Sequence, residues 1–183
     1  PSFHTNEKIN MSAGKGDYIL FHGNLSISEN YEGLLWLIKN VFSKIQFQFI
    51  VAGLNPPKFL KYEIKKYHNV KLIENPSDEK MNSLIENAQV HTLFTKQTTG
   101  LKLKLLNVLF KGRFILVNPE MLDGTGILGD DSLVICNSSE KFIFEINRII
   151  EKQTKGEKQK GELCCNECIK LPWKDNFCAC GHH

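Results

Sequence analysis

A chain of 183 residues with a formal charge of +3 at pH 7 is long enough for one well-cored domain and too short for two complete ones. Its lysines are scattered rather than gathered into a block of like charge, which argues against nucleic acid as a partner. No apolar run reaches the roughly 18 residues that a transmembrane helix needs.

The two ends of the chain differ in composition from its body. Residues 1–16 have no sustained apolar pattern, and we expect a linker that follows an N-terminal domain outside this sequence. From about residue 153 the apolar content is lost, so we expect a flexible tail over 153–183.

Five of the six cysteines lie in this tail, and only Cys136 lies in the body, which is typical of a reduced, cytoplasmic protein. The tail cysteines lie in two groups, "CCNEC" and "CAC". The second group has C-x-C spacing and the loop between the groups is short, which fits a zinc ribbon poorly. We therefore predict an irregular tail and no metal site.

Short apolar runs alternate with helical patterns over residues 17–152. Ser28 and Ser77 stand where helix N-caps are expected. Near-continuous Ile, Leu, Val and Phe in the strands predicts an α/β fold, a Rossmann-like parallel sheet with helices on both faces. The predicted strands are 17–23, 46–53, 69–75, 89–95, 113–118 and 132–136, and the predicted helices lie within 28–42, 55–67, 77–88, 98–112 and 138–152.

In such sheets, ligands bind outside the carboxyl ends of the strands, where helix N-termini favour anions. Gly23 and Gly100 lie in two of the loops at this edge and would let the backbone approach a ligand closely. The first strand lacks a following G-x-G-x-x-G and the second loop lacks a Walker lysine, which argues against a nicotinamide dehydrogenase and a P-loop NTPase. The remaining prediction is a phosphate or nucleotide site built from separate loops and lysine.

The fourth helix is apolar except for one polar stripe. At 100° per residue, Gly100, Lys104, Asn107 and Lys111 fall within about 40° of one another. Lys102 points away from this stripe, but its long stem can carry the ammonium to the crevice at the strand ends. The alternative is that both Lys102 and Lys104 extend into solvent as ordinary helix lysines.

Four blocks together resemble a known family in their order and spacing. They are "YILFHGNLS" with "EN" shortly after it, "FQFIVAG", "VKLIENPSDEKMNSLIENAQVHTLF" and "GLKLKLLNVLFKGRFILVN". Over residues 17–152 the chain resembles the C-terminal, donor-binding half of group 1 (family 4) glycosyltransferases of the bacterial type. These enzymes have the GT-B architecture, in which two Rossmann-like domains face each other across a cleft.

The resemblance implies a donor that is a sugar linked to UDP or GDP, and transfer that retains the anomeric configuration without a cofactor. A sugar or lipid-linked acceptor would be bound through the N-terminal domain, so we expect no turnover from this chain alone. Synthesis of cell-surface polysaccharide at the inner face of the membrane is the setting that the resemblance suggests.

The resemblance also implies positions for the donor site. We expect Gly23 and Asn24 near the diphosphate, Asn75 and Pro76 near the base, and Asn107 near the ribose hydroxyls. Phosphate contacts are expected from Gly100, Lys102 and Lys104. No catalytic side chain is evident, and His22 at the end of the first strand is better explained as a structural histidine than as a sugar contact.

This chain departs from the family at its charged positions. The family's two glutamates would fall on Thr99 and Asn107, and its basic pair on Asn24 and Glu32. Asn107 can still hydrogen-bond a ribose, but without the strength of a carboxylate. Two alternatives therefore stay open: a sugar-nucleotide epimerase of similar architecture, and a degenerate nucleotide-binding module without catalytic activity.

Overall fold

The computed structural model describes residues 15–96 and 103–154, which contain a six-stranded parallel sheet in the order β3-β2-β1-β4-β5-β6. This order is that of a Rossmann sheet, and the predicted fold class is confirmed. The strands are β1 Ile19–Asn24, β2 Phe49–Leu54, β3 Val70–Glu74, β4 Val90–Leu93, β5 Phe114–Val117 and β6 Leu133–Ile135. The helices are α1 Ser28–Asn40, α2 Lys58–Ile64, α3 Asp78–Asn87, α4 Leu103–Lys111 and α5 Ser139–Thr154.

Both faces of the sheet are covered, because successive strand residues point to opposite sides. Phe21 of β1 belongs to the core formed with α1, α2 and α5. Its neighbour Leu20 packs with Leu84 and Ile85 of α3 on the other face. Burial on both sides explains why β1, β2 and β5 have near-continuous apolar sequences instead of an alternating pattern.

The two predicted N-caps have different outcomes. The Ser77 side chain accepts a hydrogen bond of 3.2 Å from the backbone N–H of Lys80, and its role as the cap of α3 is confirmed. The prediction for Ser28 was wrong, because Ser28 is the first residue of α1 and Ile27 takes the cap position without a side-chain hydrogen bond. The preceding turn is organised by Asn24 instead, whose Oδ1 accepts from the backbone N–H of Ser26.

The first three strands end at the same level. Gly23 pairs with Gly53, and Gly53 in turn pairs with Glu74. A Cβ atom added to Gly53 would lie 2.1 Å from the carbonyl oxygen of Gly23, so only glycine fits there. The loops that follow β1, β2 and β3 therefore leave the sheet side by side.

The strands β1 and β4 separate towards this edge. Their pairing is limited to Ile19 with Val90 and Leu20 with His91. Beyond these pairs β1 continues to Asn24, so an opening forms at its carboxyl end. This is the topological switch point of the sheet, where the direction of strand winding reverses and where ligands bind in open α/β folds.

The ends of the described fold lie close together. The Gln153 side chain donates a 2.7 Å hydrogen bond to the carbonyl of Gly16, so both residues belong to the fold, although the sequence places them in the tail and the linker. The rest of those two segments lies outside the described residues. Within 15–96 and 103–154, no helix is long and apolar enough to cross a membrane, and no cluster of His, Cys, Asp and Glu could hold a metal ion.

Candidate functional site

The opening between β1 and β4 is spanned by a lysine. The Nζ atom of Lys104, near the start of α4, donates a 3.0 Å hydrogen bond to Oδ1 of Asn30 in the first turn of α1. The same Nζ atom lies 5.9 Å from the centre of the Phe21 ring. Lys104 is thus half-buried at the carboxyl edge of the sheet, where its charge favours an anion.

Asn30 connects this lysine to the end of β1. Its Nδ2 atom donates a 2.8 Å hydrogen bond to the carbonyl of Asn24, while its Oδ1 atom accepts from Lys104. Asn30 belongs to the "EN" pair of the resemblance, but the sequence analysis gave it no role in the site, because polar residues are common in the first turn of a helix. Its position in the first turn of the helix that follows Gly23 and Asn24 is the signal that could have identified it.

Gly23, the residue before the end of β1, lies beside this pair. Its φ angle is +158°, a conformation that side chains rarely adopt. A Cβ atom added there would lie 3.5 Å from the Asn30 amide. The backbone at Gly23 therefore lies beside the Asn30 amide with no side chain between them.

Asn75 and Pro76 follow β3 at the same edge, two strands away from β1 and so roughly 10 Å from it. Asn75 has a φ angle of 45°, and its backbone N–H donates to the carbonyl of Gly53 at 2.9 Å. Its Oδ1 atom accepts a 2.7 Å hydrogen bond from the backbone N–H of Asn55. These bonds join the loops after β2 and β3 into one rim of the candidate site.

The residues of the polar stripe of α4 make contacts at two different places in the fold. Lys104 and, one turn later, the half-buried Asn107 belong to the half of the helix nearer the strand ends. Lys111 instead donates to Oδ1 of Asn82 on α3 at 2.8 Å and lies 3.6 Å from Glu86, so it joins the two helices. The predicted site residues Thr99, Gly100 and Lys102 lie outside the described residues.

A buried asparagine fixes the chain just before residues 97–102. The Oδ1 atom of Asn118 accepts from the backbone N–H of Thr95 at 3.1 Å, and its Nδ2 atom donates to the Thr95 carbonyl at 2.5 Å. Next to it, Lys96 forms an exposed ion pair of 3.4 Å with Glu32 of α1. The chain that leads towards α4 is thus held from both β5 and α1.

His22 lies beneath the opening and is buried. Burial, assisted by the charge of Lys104, lowers the pKa of His22 to about 4. The ring is therefore neutral at pH 7, which fits the structural role expected from the sequence.

The chain is similar to known proteins in sequence and in fold. The sequence model of the family described as "Glycosyl transferases group 1" matches residues 16–152. A 44.6 kDa protein of the cps region of Klebsiella pneumoniae is 27% identical over 135 residues, which are 68% of this chain and 34% of that protein. This chain thus spans about a third of that relative.

Solved structures show the same fold at low identity. The crystal structure of TarM has a TM-score of 0.59 and 13% identity, with 80% of this chain and 31% of TarM covered. The lipopolysaccharide outer core galactosyltransferase WaaB has a TM-score of 0.53 and 14% identity, with 80% of this chain and 43% of WaaB covered. The catalytic domain of the cholesterol-alpha-glucosyltransferase from Helicobacter pylori has a TM-score of 0.53 and 14% identity, with 75% of this chain and 88% of that domain covered. These likenesses confirm the fold of a GT-B domain.

Proposed function

This chain belongs to the group 1 glycosyltransferase family, and on that premise we propose that it binds the sugar donor of a retaining transfer reaction. The donor is a sugar linked to UDP or GDP. The observation that carries the proposal is the ammonium of Lys104, held by Asn30 at the carboxyl end of β1, at the switch point where Rossmann folds bind nucleotides.

The chemistry of transfer accounts for a cation at this place. When the bond between sugar and diphosphate breaks, the leaving nucleoside diphosphate gains negative charge. A lysine that is already positioned beside the phosphates stabilises that charge more in the transition state than in the bound donor. Lys104 takes this role in our proposal, with Lys102 and Gly100 as further phosphate contacts.

The remaining contacts follow the arrangement of the loops. Gly23 and Asn24 approach the diphosphate, Asn107 on α4 approaches the ribose, and the rim formed by Asn75 and Pro76 approaches the base. The distance of two strands between this rim and β1 supports the assignment, because a nucleotide extends over roughly that length.

The acceptor is a sugar or lipid-linked sugar that a second domain binds, so this chain by itself is expected to bind the donor without turning it over. Polysaccharide synthesis at the inner face of the membrane is the setting we propose. The relative encoded in a cps region supports that setting.

A second candidate is a nucleotide-binding module without catalytic activity. The neutral amide of Asn107 favours it, since the resemblance leads us to expect a carboxylate there. Joined to its second domain, an active protein would release UDP or GDP from a sugar donor, whereas a degenerate module would bind the nucleotide and release none.

Calorimetric titration of the full chain with UDP, GDP and their sugar conjugates tests donor binding. We expect one of the two nucleotides to bind, and Lys104→Ala to weaken its binding about tenfold or more, as expected for loss of a charged hydrogen bond. Lys111→Ala is the matched control, because Lys111 lies on the same helix and also donates to an asparagine Oδ1.

The size of the lysine effect should depend on the phosphates. Lys104→Ala should weaken the binding of the nucleoside diphosphate more than that of the matching monophosphate. Failure of both UDP and GDP to bind at millimolar concentration would contradict donor binding. Equal losses in Lys104→Ala and Lys111→Ala would contradict the role given to Lys104.

A further inference from the structure

One hydrogen-bond partner of Lys104 is the neutral side-chain amide of Asn30 in α1. An amide oxygen accepts the hydrogen bond of an ammonium but does not cancel its charge.

The orientation of Asn30 is itself fixed. Its Nδ2 atom donates to the carbonyl of Asn24, so its Oδ1 atom is the end of the amide that faces Lys104. The two hydrogen bonds form a continuous link from α4 through α1 to the last residue of β1. This link crosses the opening of the sheet beside Gly23.

We propose that Asn30 is a positioning residue, which holds the ammonium of Lys104 at the end of β1 for the diphosphate. This inference rests on the proposed function. A lysine side chain has many rotamers, and a partner that selects one of them before the ligand arrives reduces the entropy lost on binding. Asn30 acts through Lys104 and need not touch the ligand.

Two substitutions separate position from charge. Asn30→Ala removes the acceptor and leaves Lys104 to sample other rotamers. Asn30→Asp keeps the side-chain volume but places a carboxylate beside the ammonium, so the charge offered to the phosphates falls. We therefore expect binding of the nucleoside diphosphate to weaken by about fivefold in Asn30→Ala and further in Asn30→Asp.

A double-mutant cycle distinguishes action through Lys104 from a general structural effect. Binding of UDP and GDP is measured for the wild-type chain, Asn30→Ala, Lys104→Ala and the double variant. Because Asn30 acts through the lysine, its replacement should change the affinity less than about twofold once Lys104 is absent. If Asn30 and Lys104 contributed independently, the fold-losses of affinity of the two single variants would multiply in the double variant.

Asn40→Ala supplies the control within the same helix. Its Nδ2 atom donates a 2.8 Å hydrogen bond to the carbonyl of Trp36, which matches the bond from Asn30 to Asn24, but Asn40 lies at the far end of α1. We expect its affinity for nucleotide to equal that of the wild type. Thermal denaturation of each variant verifies the fold. If Asn30→Ala has a much lower Tm than the wild type, the affinity of Asn30→Asp tests the positioning role instead.

The outcomes separate the two proposals. Loss of the Asn30→Ala effect in the Lys104→Ala background supports positioning by Asn30. Multiplying effects, or affinities of Asn30→Ala and Asn30→Asp equal to the wild type, overturn it while donor binding stands. A Lys104→Ala variant that binds as the wild type also overturns it. A wild-type chain that binds neither UDP nor GDP refutes the proposed function, and this inference with it.

Discussion

The imidazole rings of His22 on β1 and His91 on β4 lie 6.5 Å apart, in an edge-to-face arrangement beneath the candidate site. Burial lowers the pKa of His22 to about 4, and the charge of Lys104 adds to this effect. Burial, together with the nearby His22, lowers the pKa of His91 to about 3. Both rings are therefore neutral at pH 7, because protonation would place a charge in a site that water does not reach.

This pair predicts that the free energy of unfolding falls as the pH is lowered. In the unfolded chain both histidines bind protons near pH 6.5, whereas in the folded chain they bind them only near pH 4 and pH 3. The contribution of the two neutral histidines to the free energy of unfolding is therefore fully present above pH 6.5, and it falls as the pH is lowered from there towards the folded pKa values. Between pH 7 and pH 5.5 we expect a loss of about 2 kcal/mol, close to half from each histidine.

Urea denaturation at pH 7 and pH 5.5 measures this loss, and the window stays above the range in which carboxylates titrate. His91→Leu, which fills the same buried site with an apolar side chain, should reduce the pH dependence by about half. NMR titration of the ring signals checks the cause. An unfolding free energy that is constant over this window, or ring signals that titrate near pH 6.5, would refute the explanation.

Asn118 is expected to be the polar side chain whose loss costs the fold most near the site. It is buried, accepts a hydrogen bond from the Thr95 N–H and donates one to the Thr95 carbonyl. Asn118→Ala should lower the free energy of unfolding by about 2 kcal/mol or more. Asn87→Ala is the control, because the exposed Asn87 amide donates to the Ser83 carbonyl and its loss should cost less than about 0.5 kcal/mol.

Denaturant titration of the two asparagine variants measures both values. Because Thr95 lies just before residues 97–102, Asn118→Ala should also weaken nucleotide binding. Similar stability in the Asn118→Ala and Asn87→Ala variants would show that the Thr95 contacts contribute little.

The proposed contact of Asn107 with ribose predicts a preference for the 2′-hydroxyl. A side-chain amide that hydrogen-bonds a ribose should make the ribonucleotide bind up to about tenfold more tightly than its 2′-deoxy form. Asn107→Ala should bind both forms equally, at the affinity of the deoxynucleotide. Calorimetric titration with UDP and 2′-deoxy-UDP tests this, and an Asn107→Ala variant that keeps the full preference would exclude Asn107 from the ribose contact.

Much of the fold could be predicted because it depends on local patterns. Continuous apolar segments such as the one containing Val51 indicate a strand buried on both faces, and the cap formed by Ser77 needs only the residue three places later. The prediction for Ser28 failed because Asn24, four residues earlier, organises that turn with its own side chain. Competing local hydrogen bonds of this kind are not distinguished by residue type alone.

The candidate site depends on contacts that sequence spacing does not contain. The helical periodicity correctly separates Lys104 from the leucines of α4, but its partner Asn30 is 74 residues away in the chain. The same holds for Asn118, which becomes important only because β4 and β5 are neighbours in the sheet. Residue identity suggests which chemistry the edge could carry, while the residue pairs that build the edge are visible only in the folded chain.

The most direct test of donor binding at the switch point is an NMR titration of the 15N-labelled chain with UDP and GDP. We predict that one nucleotide shifts the backbone amides of Gly23 and Asn24 and the side-chain amide of Asn30, while the side-chain amide of Asn40 is unchanged. Shifts confined to the groove between α1 and α2, lined by residues such as Leu35, Phe59 and Tyr67, or no shifts at all, would contradict the account.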